Sequence, residues 1–429
     1  MGAVQQGIDN ANVPAPNLGP EESVIEPGRL AIRTRFEDYA GLFVMHCHRL
    51  NHEDNGLMAL VNVIPAISAY AVAVPGGPGR AATVRVMDGD RLLATVTPFP
   101  GYEGTPSVAI GDVDEDGGYD LVVGSGACHA PEIAVFSGSG KKGGAPFGKE
   151  LARFLACDAA LTNGVSVAAA QIDGRTTGDN IIVGSGPGVS SEIRVFGSRL
   201  PALSMAPKRF ATFNPFYGER NGVTVTTGFV DFTTGRQSLI AAPGAGSPAV
   251  VKVFVFPLLS AMEGEIGSHA HRSKGPPRPV LSASFTPFGA DYRGGVSLAT
   301  GWLAGTLGGA ERIVVGQQDG AELAVFSAGS ALDGGPAMYL HSASAHPKAE
   351  FTEMARFAPF GADARGVSVA TTSTTEGADL LVGTKEGALR GTVRRFGLER
   401  ADATARTLTP RPLAEVAMEG IVGMVLAGD

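Results

Sequence analysis

From Tyr70 onward the chain alternates short apolar runs with clusters of glycine, proline and acidic residues, and the runs return in the same order. One run reads Gly-Val-Ser-Val-Ala, a second ends in Val-Gly, and a third reads Glu-Ile-x-Val-Phe. The set appears as Pro106–Ile110, Leu121–Gly124 and Glu132–Phe136, and again as Gly164–Ala168, Ile181–Gly184 and Glu192–Phe196. Further copies are Gly222–Val225 with Val251–Phe254, Gly295–Leu298 with Glu322–Phe326, and Gly366–Ala370 with Leu380–Gly383 and Val393–Phe396. Between copies stand Thr97-Pro-Phe99, Asn214-Pro-Phe216, Thr286-Pro-Phe-Gly289 and Ala358-Pro-Phe-Gly361. Successive units start about 60–70 residues apart, room for about four short strands and their turns, which is one blade of a β-propeller.

The ends of the array complete each other. Tyr70–Val74 and Ala82–Val86 match the later strands of a unit that lacks its first strand, and Gly420–Leu426 matches a first strand with nothing after it. Joined, they make one more blade, so the C-terminal strand is expected to close the ring and remove its open edges. The expected count is six; the longer spacings leave room for a seventh. With no pattern of helical length, the fold class is all-β.

Upstream of the array the pattern changes. Gly28–Phe36 alternates apolar and polar residues as a half-buried strand does. Strand geometry carried through Phe43–His48 sets His46 and His48 on one face and Cys47 on the other, with His52 soon after. Thiolate and imidazole together suit copper or zinc. The stretch has every fixed position of the pattern H-C-H-x3-H-x3-G-[LM], and it resembles the C-terminal copper motif of multicopper oxidases. The preceding Arg35–Gly41 is similar to that family's strand and turn. The resemblance implies that Cys47 and His52 bind a mononuclear (type 1) copper, and that His46 and His48 each bind one copper of a trinuclear cluster. It makes Leu57 the axial residue, a non-ligand expected to raise the copper potential.

The same resemblance marks what is missing. A type 1 site needs a second histidine and the cluster needs His-x-His pairs, yet no histidine precedes His46. A cupredoxin is a two-sheet Greek-key sandwich of about 100 residues, so residues 1–64 supply only its last strands. The expected organisation is a partial cupredoxin segment over 1–64 followed by a propeller over 67–429. The expected partner is the rest of the oxidase, in the same gene product or on a separate chain.

In the first full unit the loop after the leading strand reads Asp112-Val-Asp114-Glu-Asp116-Gly-Gly-Tyr-Asp120. Carboxylates at alternate positions around a glycine turn suit Ca2+, which takes oxygen ligands. The loop resembles the calcium loops of FG-GAP (integrin-like) propeller repeats, with Asp112, Asp114, Asp116 and Asp120 as ligands; the alternative is a solvated acidic turn. The triad fades in later units, where Asp173 and Asp231 stand alone. The His269-x-His271 pair and His341 and His346 fall in two longer insertions and read as surface loop, while Trp302 and the phenylalanines ending the Val-Phe strands read as blade-to-blade packing.

Composition narrows the classes. A hydrophobic content of 44% argues against disorder, despite Gly 60 and Pro 28. The net charge of −8 gives no electrostatic ground for nucleic-acid binding. No apolar run reaches the roughly 18 residues of a membrane span. No signal peptide is visible; location outside the cytoplasm, extracellular or periplasmic, is what the oxidase resemblance implies. Cys47, Cys128 and Cys157 give no disulfide framework, though Cys128 and Cys157 are a conceivable pair. Two functions remain: an oxidoreductase component that passes electrons from a reducing substrate to dioxygen, inactive without its missing domains, or a calcium-stabilised propeller that binds an unknown ligand and carries a vestigial copper segment.

Overall fold

The computed structural model describes residues 41–46, 58–63, 69–139, 145–172, 178–197, 200, 207–231, 237–256, 278–304, 310–328, 350–374, 377–386, 391–400, 407–417 and 425–428. Every regular element among them is a strand. Gly41–His46 and Met58–Val63 form a two-stranded antiparallel sheet. The boundary expected at 64–67 and the strand expected at Gly28–Phe36 lie outside the described residues.

The remaining strands make six four-stranded antiparallel sheets, the blades of a closed propeller. The first blade consists of Val425–Gly428, Ala69–Val74, Thr83–Asp88 and Arg91–Val96. The second is Ser107–Gly111, Asp120–Gly124, Glu132–Ser137 and Lys149–Leu155. The third is Val165–Ala170, Asn180–Ser185, Ile193–Phe196 and Arg209–Phe213. The fourth is Val223–Gly228, Ser238–Pro243, Val251–Val255 and Val280–Phe285. Val296–Gly301, Arg312–Gln317, Leu323–Ala328 and Phe351–Phe357 make the fifth. Arg365–Thr374, Gly377–Glu386, Thr392–Arg400 and Leu408–Ala417 make the sixth.

As expected, the C-terminal strand completes the first blade, with Leu426 paired to Val72. Its amide also donates to Ser368 Oγ of the sixth blade at 3.1 Å, so the last and first blades meet across one strand. Each leading strand packs against the leading strands of the blades beside it, all the way round.

Blade packing explains the residue patterns. Second strands such as Leu121–Gly124 and Ile181–Gly184 are buried on both faces, so they read as continuous apolar runs rather than alternations. Outer strands alternate and keep polar residues at the rim. In every blade the pairing of third and fourth strands slips by one residue at the same place, as between Val135 and Phe136 or Val195 and Phe196. The extra residue sits on the fourth strand, and an alanine follows it each time: Ala94, Ala152, Ala211, Ala283, Ala355 and Ala414. A bulge of this kind adds local twist, and here it recurs with the repeat.

The seams carry four recurring contacts. Ser107, Ser166 and Ser297 of the leading strands donate through Oγ to the carbonyls of Val165, Val223 and Val367 in the next blade, at 2.8, 2.6 and 2.8 Å. Thr227, Thr300 and Thr371 donate the other way, to Ala169, Thr227 and Thr300 of the preceding blade. Phenylalanines meet edge-on or tilted across the seams: Phe154 with Phe196, Phe213 with Phe254, Phe285 with Phe326, and Phe357 with Phe396, centroids 4.7–5.4 Å apart. Trp302 stacks on Phe229 of the fourth blade at 6.0 Å. These are the packing roles expected of the aromatic residues.

The fourth contact gives the Pro-Phe phrase its purpose. A cation of the following blade donates to the carbonyl of the proline and lies over the phenylalanine ring. Arg153 does so at Pro98 and Phe99, Lys252 at Pro215 and Phe216, Arg356 at Pro287 and Phe288, and Arg394 at Pro359 and Phe360. Arg194 fills the same seat at Ala156 O, where the connector lacks the phrase.

Candidate functional site

The acidic loop of the second blade joins the leading strand to the second strand, with Gly111 paired to Asp120. Val113 is fully buried and plugs the loop into the blade. Glu115 and Gly117 both adopt positive φ, 63° and 78°, which folds the chain back on itself. The carboxylates of Asp112, Asp114 and Asp116 are half-buried, and one oxygen from each lies within 4.8 Å of the others. Asp112 accepts from the amides of Asp116 (3.2 Å) and Gly117 (3.0 Å), and Asp114 also accepts from Asp116 N. Asp116 accepts from Gly118 N at 2.9 Å and from Ser139 Oγ.

Asp120 stands apart from that trio. It is fully buried, and its oxygens accept from the amides of Val113 (3.1 Å), Asp114 (3.3 Å) and Gly138 (3.1 Å). In the third blade Asn180 holds the same place: its Oδ1 accepts from Ile172 N and its Nδ2 donates to Phe196 O. The position is therefore a loop anchor that a neutral amide serves as well as a carboxyl.

Burial pushes Asp112 up to about 6, with Asp114 and Asp116 adding to the shift while the amides of Gly117 and Asp116 oppose it. Burial, then the charge of Asp114, pushes Asp120 up to about 8. Asp179 of the third blade donates its amide to Asp112 O and accepts from Asp112 N at 2.9 Å; burial raises it to about 7. A divalent cation among such groups reverses this tendency by favouring their charged forms. Oxygens up to about 5 Å apart fit the shell of an ion coordinated at 2.3–2.6 Å, so the spacing of Asp112, Asp114 and Asp116 is compatible with calcium.

The corresponding loops keep the plug and lose the trio. Ile172, Val230 and Leu303 are fully buried where Val113 is. Asp231 is buried and accepts from Ser282 Oγ of its own blade's outer strand. Asp173, His269, His271, His341 and His346 lie outside the described residues. Cys128 and Cys157 are free thiols, not a pair. They face different neighbours: Cys128 lies beside Tyr102, and Cys157 near Arg194, Glu192 and Asp158.

The copper motif is described only at its edge. Phe43–His46 is extended, as expected, and His46 pairs with Met58 across the hairpin. Cys47, His48, His52 and Leu57 lie outside the described residues, between those two paired positions in sequence.

Residues 16–66 match the multicopper oxidase family model. A laccase of Haloferax volcanii is 42% identical over 71 residues, which is 16% of this chain and 12% of the laccase. The chain thus spans a small part of the curated relative that it matches. Among solved structures, rhamnogalacturonan lyase YesW covers 92% of this chain and 69% of its own at 11% identity and a TM-score of 0.33. A Bacillus licheniformis rhamnogalacturonan lyase gives 12% identity, 88% and 76% coverage and a TM-score of 0.33. Likeness at that level has no bearing on chemistry. No helix among the described residues is long and apolar enough to cross a membrane.

Proposed function

We propose that this chain is a copper-binding oxidoreductase component of the multicopper oxidase type, joined to a closed propeller. The observation that carries the reading is the family match over residues 16–66, which contains the whole of the His-Cys-His motif. Cys47 and His52 would hold a type 1 copper, Leu57 would be a non-ligand of that site, and His46 and His48 would serve a trinuclear cluster. The donor set fits in kind, a soft thiolate with imidazoles, and is incomplete in number. Copper bound there supplies one-electron transfer from a reducing substrate and the reduction of dioxygen. The chain's own part is to hold the thiolate and the two flanking imidazoles one residue apart, the shortest covalent route between two metal sites. The missing ligands would come from further oxidase domains, in the same gene product or on a partner, in an extracellular or periplasmic setting.

Copper titration tests this. The chain alone should bind Cu(I) through Cys47 and stay nearly colourless with Cu(II); a form extended upstream to include His-x-His pairs should turn intensely blue. Copper affinity unchanged by Cys47→Ser would overturn the reading.

A second reading has its own support. The trio Asp112, Asp114 and Asp116 favours a calcium-stabilised propeller that binds a ligand of its own. Calcium there would pin one loop and take no part in redox chemistry.

A further inference from the structure

One buried acid belongs to neither metal reading. Glu311 precedes the second strand of the fifth blade and is almost fully buried. It clamps the seam to the fourth blade from both ends: its amide donates to Phe229 O at 2.8 Å, and its Oε2 accepts from Phe229 N at 3.0 Å. Its carboxyl also meets Thr300 Oγ1, and both crowd Gly228 so closely that a Cβ there would clash with each.

Hydrogen accounting decides its state. Thr300 Oγ1 lies 2.6 Å from Thr227 O, and a carbonyl brings no hydrogen, so the single hydroxyl hydrogen of Thr300 is used there. Towards Glu311 the threonine can only accept. The contact is satisfied when Glu311 carries a proton and donates it to Thr300, while its other function accepts from Phe229 N.

The seam between the third and fourth blades has a neutral group in the same place. Gln237 accepts from Gln171 N through Oε1 at 3.0 Å, and an amide is the uncharged isostere of a protonated carboxyl. Asp179 fills the place at the second seam, but it touches the acidic loop. The elements around Glu311 bring few charges: Asp231 accepts from Ser282 Oγ, the buried Arg312 follows as the first residue of the strand, and Asp379 of the sixth blade pairs with Arg395. Arg236 and Glu376 lie outside the described residues. Among the described residues Glu311 has no ion pair.

We propose that Glu311 is a proton lock on the seam between the fourth and fifth blades, closed while the acid is neutral and loosened when it ionises. Burial raises Glu311 to about 7 against an ordinary 4.5. With the folded value above the unfolded one, its contribution is complete below about pH 4.5, falls as pH rises, and is gone above about pH 7.

The test compares thermal unfolding of the wild type and Glu311→Gln across pH 4–9. The wild type should lose stability relative to the variant between about pH 4.5 and 7, on the order of a hundredfold in the folding equilibrium, with no relative change above pH 8. Parallel curves would overturn the proposal. Should the variant fail to fold, the wild type labelled with side-chain 13C-glutamate gives the answer by infrared spectroscopy. A protonated glutamate band at pH 6, where exposed glutamates are ionised, is the expected result, and its absence sinks the lock.

Discussion

The leading loops of the second and third blades start from one plan and part in their chemistry. Both drop a fully buried aliphatic residue into the blade, Val113 and Ile172, and both tie the loop to the first residue of the second strand, Asp120 and Asn180. Among the described residues, only the second blade adds such a cluster, Asp112, Asp114 and Asp116 with oxygens in mutual reach. The third blade has Gln171 in the place of Asp112, and Asp173 in that of Asp114. The difference separates two duties that one string of aspartates conceals. Asp120 builds the loop; the other three gather half-buried carboxylate oxygens within 4.8 Å of one another.

The anchor gives the largest expected effect. Asp120→Ala strands three amides, one buried and two half-buried, at about 1 kcal/mol each, so the chain should lose roughly 3 kcal/mol in denaturant unfolding. Asp120→Asn should cost only about 1 kcal/mol, because the amide must swing away from Gly138 N, a donor, towards a carbonyl as Asn180 does. Asn180→Ala should cost about 2 kcal/mol, for one amide and one carbonyl left without partners. If Asp120→Asn is as damaging as Asp120→Ala, the two positions are not equivalent and the comparison breaks.

The trio gives the next effect, and only in the presence of metal. Calcium at about a hundred times its dissociation constant should add roughly 2.7 kcal/mol to the unfolding free energy. Asp114→Asn and Asp116→Asn should each reduce that gain with little change in the metal-free protein. A gain that survives both substitutions would place any bound calcium elsewhere and return Asp112–Asp116 to a solvated acidic turn.

The propeller was legible from its repeats because burial repeats: a second strand packed on both faces has to be apolar throughout, as at Leu121–Gly124 and Ile181–Gly184. Ring closure was legible because a lone first strand and a blade lacking one have no other stable use. The copper segment could be read for a different reason, since Cys47 and its flanking histidines form a motif whose meaning does not depend on the fold. Less visible was the role of Asp120 as an anchor, since nothing in an acidic loop's sequence says that one carboxylate will be buried against three amides of its own blade. The alanine after each fourth-strand bulge escaped notice as a small residue in a variable strand. Glu311 gave no signal either, because a single glutamate in a loop says nothing about burial.

The cation seats were hidden by a change of strand, and this supplies the smallest effect. In the third blade the cation is Arg194 on the third strand; in the second blade that position is Ala134, which looks like decay of the repeat. Ala134 is directly paired with Arg153 on the fourth strand, so the guanidinium reaches the same kind of carbonyl from the neighbouring backbone. The fifth blade repeats the exchange with Ala324 and Arg356. Arg153 also pairs with Glu150 and Glu132, but partly exposed ion pairs contribute about 0–1 kcal/mol, and the bond to Pro98 O with the ring contact to Phe99 matters more. Arg153→Ala should therefore cost about 1–2 kcal/mol. Arg153→Lys should cost less than about 1 kcal/mol, because Lys252 already serves the seat at Pro215 and Phe216, its Nζ 2.8 Å from the carbonyl and 4.8 Å from the ring centroid. Equal losses for the two variants would mean that the ion pairs with the glutamates, which favour the guanidinium fork, hold the seam instead of the carbonyl.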